Sequence, residues 1–401
     1  MRAGGHRTTV TRRLTAYRGP VTENVPDLTR PQVENLFEEK LREAFSQLGC
    51  FNLAVFGKTG VGKSTLVNAI FGQNVALTGV GRPVTRGLDY YRHPDGFLGL
   101  YDSEGFETGT SGDAILQGLT NVINEQRPDD QRIHAAWYLV RWSDRRFENA
   151  QQQFVRKIAA LGVPVIMVIT QVPSRDGAIH PEALEFADYI ASLDLPLSPH
   201  GRAVLTNALE DPFTHTPVIG LRTLLDDTYE VIPEVAESAL TAAQMLDMER
   251  KKKAVSRIVT QAAAIAAGIG AAPIPIADAA LLVPNQITMI SRITAAYGLP
   301  PNRSKALAAA GSVILTGGAT MAGKYAVTTL LRFLPGGFIV GSAISATVAT
   351  ALTKAVGMAW AQVCEYALSL PPDGRDTFLS SSAVTERFVE YLKHASRLIR
   401  P

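Results

Sequence analysis

Gly57-Lys58-Thr59-Gly60-Val61-Gly62-Lys63-Ser64 is the stretch of this 401-residue chain whose residue types and spacing point most directly to chemistry. It matches G-x-x-x-x-G-K-[S/T]. In such a loop, glycines let successive backbone N–H groups turn toward a phosphate, and the helix N-terminus behind them adds partial positive charge. Lys63 is the cation expected on the β- and γ-phosphates, and Ser64 the hydroxyl expected on Mg²⁺. With Thr65 they form the candidate phosphate-binding set. The apolar run Phe51-Asn52-Leu53-Ala54-Val55-Phe56 before the loop and the helical pattern from Ser64 to Phe71 after it supply the context the motif requires. A glycine-rich turn without a ligand would leave Lys63 unexplained.

Thirty-nine residues past Lys63, Asp102-Ser103-Glu104-Gly105 closes a second apolar run, Phe97 to Tyr101. At a strand's carboxyl end Asp102 can hold Mg²⁺ through water, and the Gly105 N–H can meet the γ-phosphate. Between the two motifs lies Pro83-Val84-Thr85-Arg86-Gly87, where Thr85 is placed to complete Mg²⁺ coordination. The plainer reading of Thr85 is an ordinary loop threonine.

These motifs resemble the Era- and TrmE-like branch of bacterial GTPases over roughly residues 50–230. The resemblance implies a P-loop hydrolase of the translation-factor-like class that turns GTP into GDP and phosphate. It implies Lys63, Thr85 and Gly105 as catalytic groups and Ser64, Thr85 and Asp102 as Mg²⁺ ligands. Ras-like enzymes orient water with a glutamine just after D-x-x-G; here that position is Phe106. Slow intrinsic hydrolysis is implied, helped by K⁺, by dimerisation through the GTPase domain or by a partner. Arg82 and Arg86 are arginine-finger candidates by location alone.

The base-reading motif departs from the family. Where N/T-K-x-D is usual, this chain has Thr170-Gln171-Val172-Pro173. Asp176 is either a substitute for the missing aspartate or part of a simple turn. Leu205-Thr206-Asn207-Ala208 resembles the final motif whose backbone touches the guanine carbonyl. Thr170, Gln171, Asn207 and Ala208 are therefore the candidate base-binding residues. Guanine nucleotide is the expected ligand, with ATP or a relaxed site as alternatives.

The elements that must position these groups alternate. Strands are expected at 51–56, 97–101, 134–141, 164–169 and 203–206, with Trp137 and Trp142 flanking a core strand. Helices are expected near 63–72, 112–126, 147–161, 181–193 and 217–229. The pattern predicts an α/β P-loop GTPase domain: a mostly parallel sheet with helices on both faces. A helix from Pro31 to Leu48 precedes it. Pro233 to Gly268 reads as one long helix, and another spans 383–399. The domains expected are a basic disordered tail over 1–30, the GTPase domain with its first helix over 31–230, an all-α, apolar C-terminal helical domain over 231–370, and a C-terminal helix over 371–401. The tail holds five arginines and no acid in its first twenty residues. It reads as disordered basic sequence, with a lipid-touching arm as the runner-up and a bias like that of transit peptides.

Residues 258–291 contain one charge, Asp278, and 306–323 and 333–353 contain none. These lengths approach the ~20 apolar residues that span a bilayer. Their Ala, Gly, Ser and Thr content equally suits close helix packing in water. Asp278 reads as a helix N-cap or as a costly intramembrane acid. Lys251-Lys252-Lys253, with Arg250 and Arg257, reads as a solvated helix face or as a basic cluster beside anionic lipid. The placement of prolines and glycines at 273–286 and 324–337 resembles the YcjF-type domain of unknown function, over about 235–370. That resemblance implies a helical, membrane-associated partner domain and no biochemical activity.

The function expected is thus a GTP-dependent switch whose nucleotide state orders residues 73–88 and 102–112 and controls the helical domain. The setting expected is cytoplasmic, peripheral or integral at the cytoplasmic membrane face, with lipid as partner. The alternatives are a channel-like membrane protein with a regulatory nucleotide site, an ATP-using enzyme, and an RNA-associated assembly NTPase. Composition sharpens the choice. With 46% hydrophobic and 19% charged residues and a net charge of +2, the chain is neither a disordered segment nor a strongly basic nucleic-acid binder, and no nucleic-acid partner is expected. Cys50 and Cys364 are too few for a disulfide framework, and seven dispersed histidines give no metal-ligand spacing.

Overall fold

The computed structural model describes residues 30–72, 75, 80–85, 88–94, 96–103, 111–124, 131–271, 277–299 and 346–398. Residues 1–29 of the basic tail, residues 73, 74, 76–79, 86 and 87 of the first expected switch segment, residues 104–110 of the second, and the apolar stretches 306–323 and 333–345 lie outside them.

The run Phe51-Asn52-Leu53-Ala54-Val55-Phe56 forms β1 (Phe51–Phe56), buried at every position. A strand covered on both faces reads as a near-continuous apolar run, broken here by Asn52 alone. It pairs in parallel with β4 (Leu98–Ser103) and with β5 (Ala135–Arg141). Beyond β5 come β6 (Val165–Thr170) and β9 (Val204–Leu205), both parallel. On the other side, β3 (Leu88–Arg92) and the edge strand β2 (Val80–Thr85) run antiparallel. The hairpin β2–β3 falls where the sequence reading expected only a switch loop. Pro83 is tolerated because β2 lies at the sheet edge.

Alternate residues of β1 point to opposite faces. Leu53 and Val55 join a core with α2 (Lys63–Phe71) and α6 (Leu221–Val231), through Leu66, Ile70, Leu224 and Leu225. Ala54 and Phe56 join a second core with α3 (Ser111–Asn124), α4 (Asn149–Ala160) and α5 (Pro181–Ser192), through Ile115, Phe154, Ile158 and Ile190. The two-faced α/β sandwich is therefore the architecture expected.

The helical part comprises α7 (Glu234–Ala243), α8 (Met248–Ala271), α9 (Ala277–Ala296), α10 (Ala346–Ser369), α11 (Pro372–Leu379) and α12 (Ala383–Leu398). Val255, Val259, Ile290, Ile293, Val356, Trp360 and Phe388 share one core. Small residues let these helices approach closely: a Cβ on Gly357 of α10 would lie 2.7 Å from Val259 of α8 and 3.0 Å from the Met289 sulfur of α9. Pro284 lies within α9 without ending it. Asp278 lies within the described span of α9, and residues 272–276 before that span lie outside the described residues. The first helix, α1 (Arg30–Leu48), grouped with the sheet in the sequence reading, buries Phe37 and Leu41 in this same helical core.

Two expectations about residues 233–268 need correction. The segment is two helices, because Gln244 leaves α7 in an extended conformation and its amide oxygen accepts the N–H groups of Leu246 (2.8 Å) and Asp247 (2.7 Å). Asp247 then accepts the Arg250 N–H at 2.9 Å and starts α8 as a capping carboxylate. Nor is the lysine run all solvated. Lys251 is fully buried, donating to the carbonyls of Ala242 (2.8 Å) and Tyr297 (3.3 Å). Both acceptors lie at helix C-terminal ends, where backbone dipoles carry negative partial charge. Burial pulls the Lys251 ammonium down to about 7, with Arg375 adding to the effect.

Candidate nucleotide site

The residues singled out for phosphate chemistry gather at the carboxyl ends of the parallel strands. Gly57 follows β1 at φ 147°, and a Cβ there would lie 2.6 Å from the Leu139 carbonyl of β5. Gly60 and Gly62 also take positive φ, 78° and 97°, and the chain turns through Gly62 directly into α2. Glycine is thus required at this turn by conformation and, at position 57, by close backbone approach. Lys63 donates from Nζ to the Gly57 carbonyl at 3.0 Å, which holds the ammonium against the loop. Ser64 and Thr65 are exposed on the first turn of α2, and Lys58 pairs with Glu148 at 3.0 Å.

Asp102 stands on β4 in register with Val55, two residues before Gly57 on the neighbouring strand. Ser64 and Asp102 are hard oxygen donors, the type Mg²⁺ selects, and adjoining strand ends bring both to one edge of the sheet. Thr85 ends β2, but its side chain is not among those described. Gly105, Phe106 and Arg86 lie outside the described residues.

The expected base-binding residues converge as well. Thr170, Gln171, Asn207 and Ala208 line one cavity of about 620 Å³ with Gly62 and Thr65 of the loop and helix. Thr170, buried at the end of β6, donates to the Val61 carbonyl at 2.6 Å. Gln171, at φ 58°, donates from its amide to the Gly60 carbonyl at 3.1 Å. The unusual Thr-Gln pair therefore braces the phosphate loop from the side. Thr206 accepts the Val172 N–H at 3.0 Å through its carbonyl, which ties the two base-side segments together. Asn207 spans its own loop, donating to the carbonyls of Leu209 (2.7 Å) and Pro217 (2.9 Å).

Asp176 is not on this cavity. It occupies the two-residue turn between β7 (Ser174–Arg175) and β8 (Ala178–Ile179), at φ 52° before Gly177 at 80°, the turn its sequence allowed. Asp211 does line the cavity, and sequence reading missed it. Its carboxylate accepts the Thr214 hydroxyl (2.7 Å) and the Phe213 N–H (2.9 Å), and these bonds hold it below the usual carboxylate range. Asp-Pro-x-Thr, an Asx-turn signature, was the available signal. Its oxygens serve the loop, so Asp211 shapes the cavity wall.

The chain is similar to known proteins over both of its parts. Residues 52–171 match the family described as 50S ribosome-binding GTPase, and residues 235–379 match a domain of unknown function, DUF697. GTP-binding protein A of Dictyostelium discoideum is 28% identical over 144 residues, 33% of this chain; the match spans only 31% of that protein's own length. Among solved structures, Aquifex aeolicus Era bound to GDP·AlF4⁻ is 19% identical, with a TM-score of 0.32, covering 46% of this chain and 58% of that one. A probable GTP-binding protein EngB is also 19% identical, with a TM-score of 0.30, covering 46% of this chain and 99% of that one. The chain thus carries a GTPase domain of the matched family followed by a DUF697 domain, the YcjF-type region expected from its prolines and glycines. Among the described residues no helix is long and apolar enough to cross a membrane.

Proposed function

We propose that this protein binds and slowly hydrolyses GTP, and that its nucleotide state is passed from the phosphate loop to the helical domain. The observation that carries the proposal is the convergence of Gly62 and Thr65 with Thr170, Gln171, Asn207 and Ala208 on one cavity. Lys63 and the N-terminus of α2 would neutralise the phosphates, and the N–H groups of the loop would orient them. Ser64 and Asp102, with Thr85 joining when a γ-phosphate is present, would hold Mg²⁺, which when bound offsets charge on the β- and γ-phosphates. Thr85 and the Gly105 N–H act on the γ-phosphate in this reading.

Transmission has a physical route. The Met245 N–H, in the turn between α7 and α8, donates to the Ile70 carbonyl at 2.8 Å. The last turn of the phosphate-loop helix is thereby tied to the turn that leads into α8. Movement of α2 with nucleotide would displace α8.

Displacement of a fluorescent GDP analogue by GTP, GDP, ATP and ADP tests the ligand. GTP and GDP should compete and adenine nucleotides should not; equal competition would make the Thr170-Gln171-Val172-Pro173 site a relaxed one. Hydrolysis compared in K⁺ and Na⁺ tests the cation dependence implied by Phe106, and sedimentation with GTP analogue or GDP tests a nucleotide-dependent homodimer. The membrane reading is supported by the composition of 258–291, 306–323 and 333–353. Liposome flotation favouring the GTP analogue is its expected outcome, and identical behaviour with GDP would sink the switch part of it.

A further inference from the structure

A cleft of about 560 Å³ opens where α1, α6, α7, α8 and α9 meet, within the roughly 300–1,000 Å³ range of small-molecule sites. It is remote from the phosphate loop. Leu48, at the cleft, precedes β1, and Gly57 follows it, so the six-residue strand sets the two sites about 20 Å apart.

The cleft's charge is unbalanced. Arg250, Lys253 and Arg257 recur at helical spacing and share one face of α8, and Arg292 faces them from α9. Arg250 is already answered by Asp247 (3.3 Å) and Asp226 (2.9 Å) and lies over the Tyr229 ring. Lys253 and Arg257 make no ion pair among the described residues, and Arg292 donates only to the neutral Gln261 amide at 3.2 Å. Against these three cations the lining offers one carboxylate, Glu237. Guanidinium groups on facing helices suit a phosphate, which accepts paired N–H bonds.

We propose that this cleft is a second anion site that takes a multivalent phosphate group, carried by a soluble phosphorylated compound or by a lipid headgroup. Because α6 belongs to the sheet unit and α8 and α9 to the helical one, an occupant would bridge both.

Isothermal titration of inorganic tripolyphosphate into full-length protein carrying Lys63→Ala reads this cleft with the phosphate loop disabled; wild type saturated with GDP gives a second measure. Saturable binding is expected. Lys253→Gln with Arg257→Gln should weaken it at least tenfold, about 1.4 kcal/mol, while Lys253→Arg with Arg257→Lys should retain it. Both side chains are exposed, so neither pair threatens the fold. Pelleting with phosphatidylglycerol vesicles that the Gln pair abolishes would assign the phosphate to a lipid headgroup. Tripolyphosphate binding without pelleting would assign it to a soluble compound. No binding of either probe, or equal binding by the Gln pair, would overturn the proposal.

Discussion

Two lysines of this chain have contrasting environments, Lys63 half-buried beside the glycine loop and Lys251 fully buried. Lys63 is held at 3.0 Å from the Gly57 carbonyl, within a loop built of obligatory glycines. Truncation to alanine removes a charge-assisted contact to phosphate, for an expected loss of about 1.5–3 kcal/mol, ~10- to 150-fold in nucleotide Kd. Wild-type affinity in Lys63→Ala would refute the site. Lys251 does no phosphate chemistry. Its folded pKa of about 7 lies well below the ordinary 10.5, so between those values the unfolded chain binds the extra proton. Stability must therefore rise with pH from about 7 upward. Burial of Cys364 raises its thiol from 9.0, and this opposes the gain at higher pH. The clean window is pH 7 to 8.5, where Lys251 contributes about 1–2 kcal/mol. Urea midpoints should climb across it in wild type and stay flat in Lys251→Met; a flat wild-type profile would contradict the burial of that ammonium.

The elements that carry the site were legible because their local signals agree with their tertiary roles. β1, α2 and the strand that carries Asp102 each coincide with an apolar run that has a glycine or an acid at its carboxyl end. The hairpin β2–β3 was not legible: Gly81, Pro83 and Gly87 punctuate it like a loop, and only pairing to β4 makes it sheet. The break between α7 and α8 was missed for a related reason. Gln244 and Asp247 are unremarkable in a helical pattern, and their capping bonds exist only when the chain turns. Lys251 was hidden inside a basic run whose other members are exposed, and nothing local distinguishes it. The turn itself is a testable joint. Asp247, 3% exposed, caps α8 and accepts Arg222 at 3.1 Å and Arg250 at 3.3 Å. Asp247→Ala should cost about 3 kcal/mol, read as a lower midpoint in chemical denaturation. A change under ~0.5 kcal/mol would show that the joint is not held by this carboxylate.

Across the molecule, the division into a nucleotide-binding sheet unit and a small-residue helical unit was readable from composition, and the family matches fall on either side of α6. The closure of the helical core by α1 was not readable, because Phe37 and Leu41 meet partners more than two hundred residues away. This closure means that the chain's first described helix and its last ones pack as one body, with the sheet unit inserted between them. The two units touch through the Met245–Ile70 backbone bond and at Gly298, at φ 70°, where a Cβ would lie 3.5 Å from the Phe97 ring of the sheet unit. In the proposed coupling, displacement of α2 would pass through this seam to α8. Hydrogen–deuterium exchange of the full chain with a GTP analogue and with GDP tests this directly. The expected result is a nucleotide-dependent change in protection over residues 244–258, at the turn and the first half of α8, that Lys63→Ala abolishes. Identical exchange there in both nucleotide states, with nucleotide bound, would contradict the coupling of the phosphate loop to the helical domain.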